Sequence, residues 1–156
     1  MLLALLACVG SDPIDSSPDS EAPATPEGYL ALRFDIDSVW HEAMDEPAIG
    51  AFTGSFWLKD EVTGAGPIEG AVDLGGIFVD EVDLEAGTPT EVLFTSELLV
   101  ADKVVVLGFL DSDGNRDLED PDPDDDDPVT LPADNAFEIV DGETTEVTVF
   151  FGLLNP

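Results

Sequence analysis

Basic residues are scarce in this chain of 156 residues: four Lys and Arg stand against 36 Asp and Glu, for a formal net charge of −32. Proteins bind phosphate backbones chiefly through Lys and Arg, so this balance argues against nucleic acid as a partner. A charge of this size keeps a protein soluble and predicts a monomer, but the self-repulsion also lowers the stability of the folded state. Bound cations or a salty medium would relieve that repulsion.

Cysteine and histidine each occur once, at Cys8 and His41, so no disulfide can form within the chain. The segment from His41 through Glu42 to Asp45 offers one imidazole, whereas a zinc protease of the His-Glu-x-x-His kind needs two. The sequence also contains no Gly-x-Ser-x-Gly elbow and no phosphate-binding glycine loop. We therefore predict that the protein is not an enzyme. A minor zinc or calcium contact at His41, Glu42 and Asp45 is the alternative to a solvated loop there.

Long apolar runs are missing as well. The N-terminal MLLALLACVG is too short to cross a bilayer, which takes about 20 apolar residues, and it is typical of the end of a secretory signal. Its Leu5-Leu6-Ala7-Cys8 resembles the bacterial lipobox, in which a signal peptidase cuts before the cysteine and the cysteine is acylated. The resemblance implies a signal-peptide remnant at residues 1–7, lipidation of Cys8, and a location in the cell envelope, at the outer membrane or cell surface. A chance apolar start with a buried cysteine is the alternative.

Residues 8–28 are rich in Ser, Pro, Asp and Glu, and this composition cannot bury enough apolar surface to become ordered. They are predicted to form a disordered tether. All nine Phe and both Trp fall in residues 29–156, and 44% of the whole chain is hydrophobic, which is enough for one core. We therefore expect a single domain over residues 29–156.

Short segments of strand character recur through this domain. Apolar and polar residues alternate from Tyr29 to Trp40, which predicts a half-buried strand followed by a loop or one helical turn. The run from Lys103 to Leu110 predicts a buried central strand, and the segment from Thr144 to Leu153 a final strand. Gly50 and Gly54 indicate a bulge or a close approach between strands.

About seven or eight such strands, with turn signals roughly every ten residues, predict an all-β fold built as a single antiparallel β-sandwich. The segment from Val104 to Phe151 resembles the end of a transthyretin-like or immunoglobulin-like domain, in which a strand leading into an Asp-rich loop is followed by a Thr-rich last strand. That resemblance implies a fold and, by itself, no function.

Ten carboxylates and a single cation, Arg116, occupy the acidic loop, residues 111–128. Carboxylates crowded in this way repel one another unless something positive joins them, and a hard divalent cation is the natural candidate. The four consecutive carboxylates Asp124 to Asp127 cannot all converge, so we expect them to form a diffuse cation atmosphere.

The start of the acidic loop resembles calcium loops of the Asp-x-Asp-Gly-Asn-x-Asp kind, found in EF-hand, dockerin and thrombospondin-type repeats. Gly114 suits the left-handed turn of such loops. The resemblance implies that Ca²⁺ is the bound ion and that its ligands are Asp111, Asp113, Asn115 through its backbone carbonyl, Asp117 and Asp120. Because Phe109 falls at the first ligand place of an EF-hand and cannot bind metal, the shell would be completed by one of Asp122, Asp124, Asp35 and Asp37. A solvated acidic turn is the alternative.

Three hypotheses follow. The leading one is a lipid-anchored cell-surface protein whose β-sandwich binds calcium and has a structural or adhesion role, with a surface protein or glycan as partner. The second is a carbohydrate- or protein-binding module that uses an aromatic face at Trp40 and Trp57, with calcium incidental. The third is an acidic structural domain adapted to high salt.

Overall fold

The computed structural model describes residues 24–44, 46–117 and 121–156. Cys8, most of the predicted tether, Asp45 and Asp120 lie outside the described residues. Among those described, no helix has the length and apolar character that crossing a membrane would require. Strand accounts for 49% and helix for 5%, so the all-β class is confirmed.

The elements, in chain order, are β1 Glu27–Ile36, α1 Ser38–His41, β2 Ile49–Leu58, a 3-10 turn at Lys59–Glu61, β3 Val62–Thr63, β4 Gly66–Pro67, β5 Gly75–Asp83, β6 Phe94–Thr95, β7 Leu99–Val100, β8 Lys103–Asp111, β9 Pro128–Thr130, β10 Ala136–Glu138 and β11 Thr144–Leu154.

The first strand is shorter than its alternation predicted. β1 ends at Ile36 because the Asp37 carboxylate accepts a hydrogen bond from the backbone N–H of Val39, at 2.8 Å, and so caps the short helix α1. Trp40 therefore lies on a helical turn and not on the strand. The segment from Thr90 to Ala101 forms only the two-residue strands β6 and β7.

One sheet contains most of the strands, in the order β5-β2-β8-β9-β11-β1-β6, with β10 paired to β8 and β7 paired to β1. β3 and β4 form a separate hairpin. β1 and β11 run parallel over eight residue pairs, from Tyr29↔Thr144 to Ile36↔Phe151. The prediction that all strands pair antiparallel is therefore wrong. Segments this far apart in sequence need no hairpin to join them, so nothing in their connection forces the antiparallel direction.

The sheet is curled, and its inner surface forms the core. β2 and β1 are separated by three strands, so four spacings in a flat sheet would place them roughly 19 Å apart. Yet the rings of Phe34 on β1 and Phe52 on β2 lie 4.9 Å apart between centroids, and Phe151 on β11 lies 5.8 Å from Phe52. The β2–β8 side of the sheet therefore faces the β1–β11 side across these three buried rings.

The glycines of β2 have the roles that their positions indicated. The pairing of β2 with β5 shifts register between Gly50 and Phe52, which is a bulge. Gly54 pairs with Gly108 of β8, and a Cβ atom on Gly108 would lie 2.4 Å from the carbonyl oxygen of Thr53. The predicted bulge and close approach are both confirmed.

We expect the substitution Gly108→Ala to lower the free energy of unfolding by about 1–3 kcal/mol, because the added methyl group overpacks a rigid backbone contact. Urea denaturation followed by tryptophan fluorescence measures the change. Gly64→Ala is the matched control, since a Cβ there meets nothing within 4 Å. Equal stability of the two variants would contradict the close approach.

Candidate functional site

The acidic loop connects two neighbouring strands. β8 ends at Asp111, β9 begins at Pro128, and Phe109 pairs with Val129 just inside the two ends. This pairing fixes where the chain leaves the sheet and where it returns. The acidic loop therefore leaves and re-enters the sheet at the same end, and the strand pairing holds its first and last residues close together.

Asp111 organises the first turn of the loop. Its side chain is buried, and Oδ1 accepts hydrogen bonds from the backbone N–H groups of Gly114 at 2.8 Å and Asn115 at 3.0 Å. Oδ2 accepts from the guanidinium of Arg116 at 2.6 Å. The same guanidinium lies over the ring of Phe78, 5.1 Å from its centroid. Both Asp111 oxygens are thus engaged within the protein.

Asn115 joins two carboxylates through its side-chain amide. Gly114 takes the left-handed conformation, with φ of 76°, and so turns the chain back on itself as the calcium-loop resemblance implied. The Asn115 Nδ2 group then donates to Asp113 Oδ2 at 2.7 Å and also to Asp124 Oδ2. Asp113 Oδ1 accepts from the backbone N–H of Asn115 at 3.1 Å. The amide therefore lies between two negative groups, where a cation would be attracted.

Asp127 is the most unusual carboxylate in the loop. It is only 3% exposed, and its oxygens accept two long hydrogen bonds, each of 3.3 Å, from the backbone N–H groups of Ser112 and Asp124. The pKa of Asp127 is raised from 3.8 to about 7, chiefly by burial; the two N–H donors lower it, and the nearby Asp124 carboxylate raises it. The site thus disfavours the ionised form of Asp127 unless a positive charge is close.

The far end of β11 holds this part of the loop in place. The Asn155 side-chain amide donates to the backbone carbonyls of Pro123 at 3.1 Å and Asp124 at 2.8 Å. Its backbone N–H donates to the carbonyl of Asp127, and its carbonyl accepts from the N–H of Asp126, both at 2.8 Å. These four hydrogen bonds fix the turn that brings Asp124 beside Asp127.

A cleft of about 240 Å³ opens between this turn and the chain that precedes β2. Asp113, Asp124 and Asp127 line it on the loop side, and Met44 and Glu46 line it on the other. No Lys or Arg is among its lining residues. The cleft can therefore attract a cation and would repel an anion.

The predicted calcium ligands are only partly brought together. Asp113 and Asn115 lie in contact, the Asp111 oxygens point to Arg116 and the turn, Asp117 is exposed, and Asp120 lies outside the described residues. Of the residues proposed to complete the shell, Asp124 reaches this cluster, while Asp37 caps α1 and Asp35 accepts from the N–H of Ile36. Within residues 24–44, 46–117 and 121–156, no group of three or more acidic, His or Cys side chains is arranged to hold a metal ion. Calcium binding stays a prediction.

Sequence reasoning missed Asp127 and Asn155. The four carboxylates Asp124 to Asp127 do not behave alike: Asp125 and Asp126 are exposed, but Asp127 is buried and contacts Asp124. Asp124 and Asp127 therefore lie together, apart from the two exposed carboxylates, and the diffuse cation atmosphere stays a prediction. The sequence contained one indication that Asp127 is buried, because Asp127 directly precedes the apolar start of β9. It contained no indication that Asn155 holds the loop.

His41 forms a separate, minor contact. Its Nε2 lies 3.2 Å from Oε1 of Glu85, and the same oxygen accepts from the backbone N–H of Ala48 at 2.8 Å. The hydrogen bond from Ala48, and after it His41, lowers the pKa of Glu85. This arrangement ties α1 to the end of β5. A metal contact at His41 and Glu42 stays a prediction, and Asp45 lies outside the described residues.

The two tryptophans lie in different surroundings. Trp40 is half-buried on α1 and packs against the core. Trp57 is half-buried on β2 and lines a groove of about 620 Å³ on the outer face of the sheet. The two indoles therefore do not form one shared aromatic face.

No protein-family model, curated protein sequence or solved structure matches the chain.

We expect the stability of the wild-type protein, relative to the Asp127→Asn variant, to fall as pH rises. The pKa of Asp127 is raised in the folded state, so its protonation stabilises the fold below pH 4, and this contribution is lost as pH rises through 7. Between pH 5 and pH 8 the difference in unfolding free energy should shift towards the Asn variant by about 2–3 kcal/mol. Chemical denaturation at several pH values in a chelator measures this shift.

Asp125→Asn is the control, because it removes the same charge from an exposed position of the same turn. Its stability should follow the wild type across the pH range. If the Asp127→Asn curve ran parallel to the wild-type curve too, the buried carboxylate would have no special role.

Proposed function

We propose that this chain is a non-enzymatic, lipid-anchored protein of the cell envelope, displayed at the outer membrane or cell surface, whose β domain binds calcium at the acidic loop. The observation that carries the proposal is the convergence of Asp113 and Asp124 on the Asn115 amide, beside the buried Asp127. Calcium takes six to eight oxygens in flexible geometry, and the cleft presents carboxylate oxygens from both ends of the loop.

Binding would require a small rearrangement. The Asn115 amide would rotate so that its place between Asp113 and Asp124 is taken by the ion, and Asp127 would ionise. Ion–carboxylate contacts would replace the two amide–carboxylate hydrogen bonds and would offset the cost of ionising the buried Asp127, so calcium should stabilise the loop that Asn155 holds to the end of β11.

We further propose an immunoglobulin-like or transthyretin-like two-layer arrangement for the domain. Two observations support this arrangement. The β2–β8 side of the sheet faces the β1–β11 side, and the first and last strands pair in parallel. The proposed calcium binding does not depend on which of these two arrangements the domain has.

The placement of the loop supports a surface role. β1 and β11 are parallel, and the end of β11 touches the loop through Asn155, so the start of β1 lies at the opposite end of the sheet. A ten-residue strand spans roughly 30 Å. A chain anchored through Cys8 would therefore enter the domain at one end and present the acidic loop at the other, towards a surface protein or glycan.

Calcium at about ten times its dissociation constant should raise the free energy of unfolding by about 1.4 kcal/mol. Calorimetric titration and thermal unfolding, in millimolar calcium and in chelator, measure binding and its effect. The double substitution Asp113→Ala with Asp117→Ala should abolish the heat of binding.

The double substitution Glu97→Ala with Glu143→Ala is the control, since it removes two exposed acids beside the start of β1, at the opposite end of the sheet from the acidic loop. It should leave the titration unchanged. Stabilisation by sodium chloride with no heat on adding calcium would refute calcium binding and favour the high-salt hypothesis.

The lipid anchor is tested at Cys8. In a bacterial host that processes lipoproteins, the wild-type chain should incorporate labelled palmitate and sediment with membranes. Cys8→Ser should lose both properties, because serine cannot form the thioether of a lipidated cysteine. Unlabelled wild-type protein in the soluble fraction would remove the anchor from the proposal.

A further inference from the structure

The outer face of β2 and β8 carries a groove that borders the acidic loop and shares no lining residue with the carboxylate cleft. The side chains of Phe52, Phe56, Val106 and Leu110 point into the core, so their neighbours along both strands point outward. Cross-strand pairing places Thr53 opposite Phe109, Ser55 opposite Leu107 and Trp57 opposite Val105 on this outer face.

Two walls rise from this floor. The turn of the β3–β4 hairpin, residues 64–67, forms one wall, and residues 121–123 with 129–132 form the other. Thr130 fixes the second wall to the floor, because its hydroxyl accepts from the N–H of Gly108 at 2.8 Å and donates to the carbonyl of Gly108 at 3.2 Å. The enclosed volume of about 620 Å³ falls within the range of small-ligand sites, on the order of 300–1,000 Å³.

The floor contains a hydroxyl that lacks a partner. Oγ1 of Thr53 is buried and has no hydrogen-bond partner among the described residues. A buried polar group without a partner is unfavourable, and native proteins leave few of them. Thr53 lines the groove, so a rotation of its side chain would turn this enclosed hydroxyl towards a ligand there, and the ligand would supply the missing hydrogen bond.

The charge of the lining restricts the ligand. Asp122 is the one charged residue among those that line the groove, and the chain as a whole carries a net charge of −32. Anionic ligands are therefore disfavoured. A quaternary cation would call for an aromatic cage, whereas here a half-buried indole and the buried ring of Phe109 accompany the hydroxyls of Thr53 and Ser55.

We propose that this groove binds a neutral saccharide. A sugar ring presents an apolar C–H face that packs on the Trp57 indole, and hydroxyl groups that pair with Thr53, Ser55 and the Asp122 carboxylate. The proposal extends the binding role proposed above, but it is independent of calcium because the floor is built from paired strands.

The test uses the full chain with three probes: maltotriose, mannotriose and tri-N-acetylchitotriose. The variant Trp40→Phe leaves Trp57 as the single indole, so its fluorescence reports on the groove. We expect a saturable change in Trp57 fluorescence with at least one trisaccharide, and the same dissociation constant by calorimetry. If none of the three trisaccharides changes the Trp57 fluorescence or gives a heat of binding, the proposal is overturned.

Thr53→Val separates binding from folding. Removing the hydroxyl should weaken the trisaccharide about five- to tenfold, while the thermal midpoint is unchanged or higher, because a buried group without a partner is lost. Unchanged affinity would overturn the role of Thr53. A response to tetramethylammonium or to a proline-rich peptide, with none to the sugars, would overturn the saccharide in favour of that ligand.

Parallel titrations in chelator and in millimolar calcium keep the two proposals distinct. Sugar binding that persists in chelator supports an independent groove, whatever the outcome of the calcium titration. Sugar binding that vanishes in chelator overturns the independence of the groove.

Discussion

Repulsion between like charges is the constraint that shapes this molecule. Four basic side chains cannot neutralise 36 acids, so the ion pairs are few: Arg116 meets the buried Asp111, and Arg33 on β1 meets Glu146 on β11, each at 2.6 Å. Asp127, the second buried acid among the described residues of the loop, accepts its hydrogen bonds from backbone N–H groups. The fold thus stabilises its interior acids with dipoles where cations are lacking, and dipoles compensate a buried charge less completely than a counter-ion does. An added cation would therefore stabilise the protein most at the end of the sheet that carries the acidic loop.

Strand β8 connects the two candidate sites. Its alternation sends Val104, Val106 and Leu110 into the core and Leu107 and Phe109 to the outer groove, and it then ends at Asp111, which begins the acidic loop. A single strand therefore contributes to the core, the floor of the groove and the first turn of the loop. Residues 121–123 of the loop form a wall of the groove, and the Asn155 amide holds Pro123 through its backbone carbonyl.

The sequence was informative where a pattern depends on local geometry. The alternation of β1, the central position of β8, the bulge at Gly50 and the left-handed turn at Gly114 all follow from side-chain period or from the conformational freedom of glycine. The parallel pairing of β1 with β11 could not be predicted in this way, because it depends on which distant segments meet. The burial of Asp127 and the hydrogen bonds from Asn155 share this origin: they arise when the end of β11 returns to the loop, and no local pattern in a run of aspartates reports that return.

The parallel register of β1 and β11 has a mechanical consequence. A force that arrives through residues 24–26 acts along β1, which is paired with β11 in parallel over eight residue pairs. Such a pull loads the ladder in shear, so its hydrogen bonds share the load instead of opening one after another as a zipper does. A force applied where the chain enters the domain is therefore resisted by the eight paired residues of β1 and β11 together.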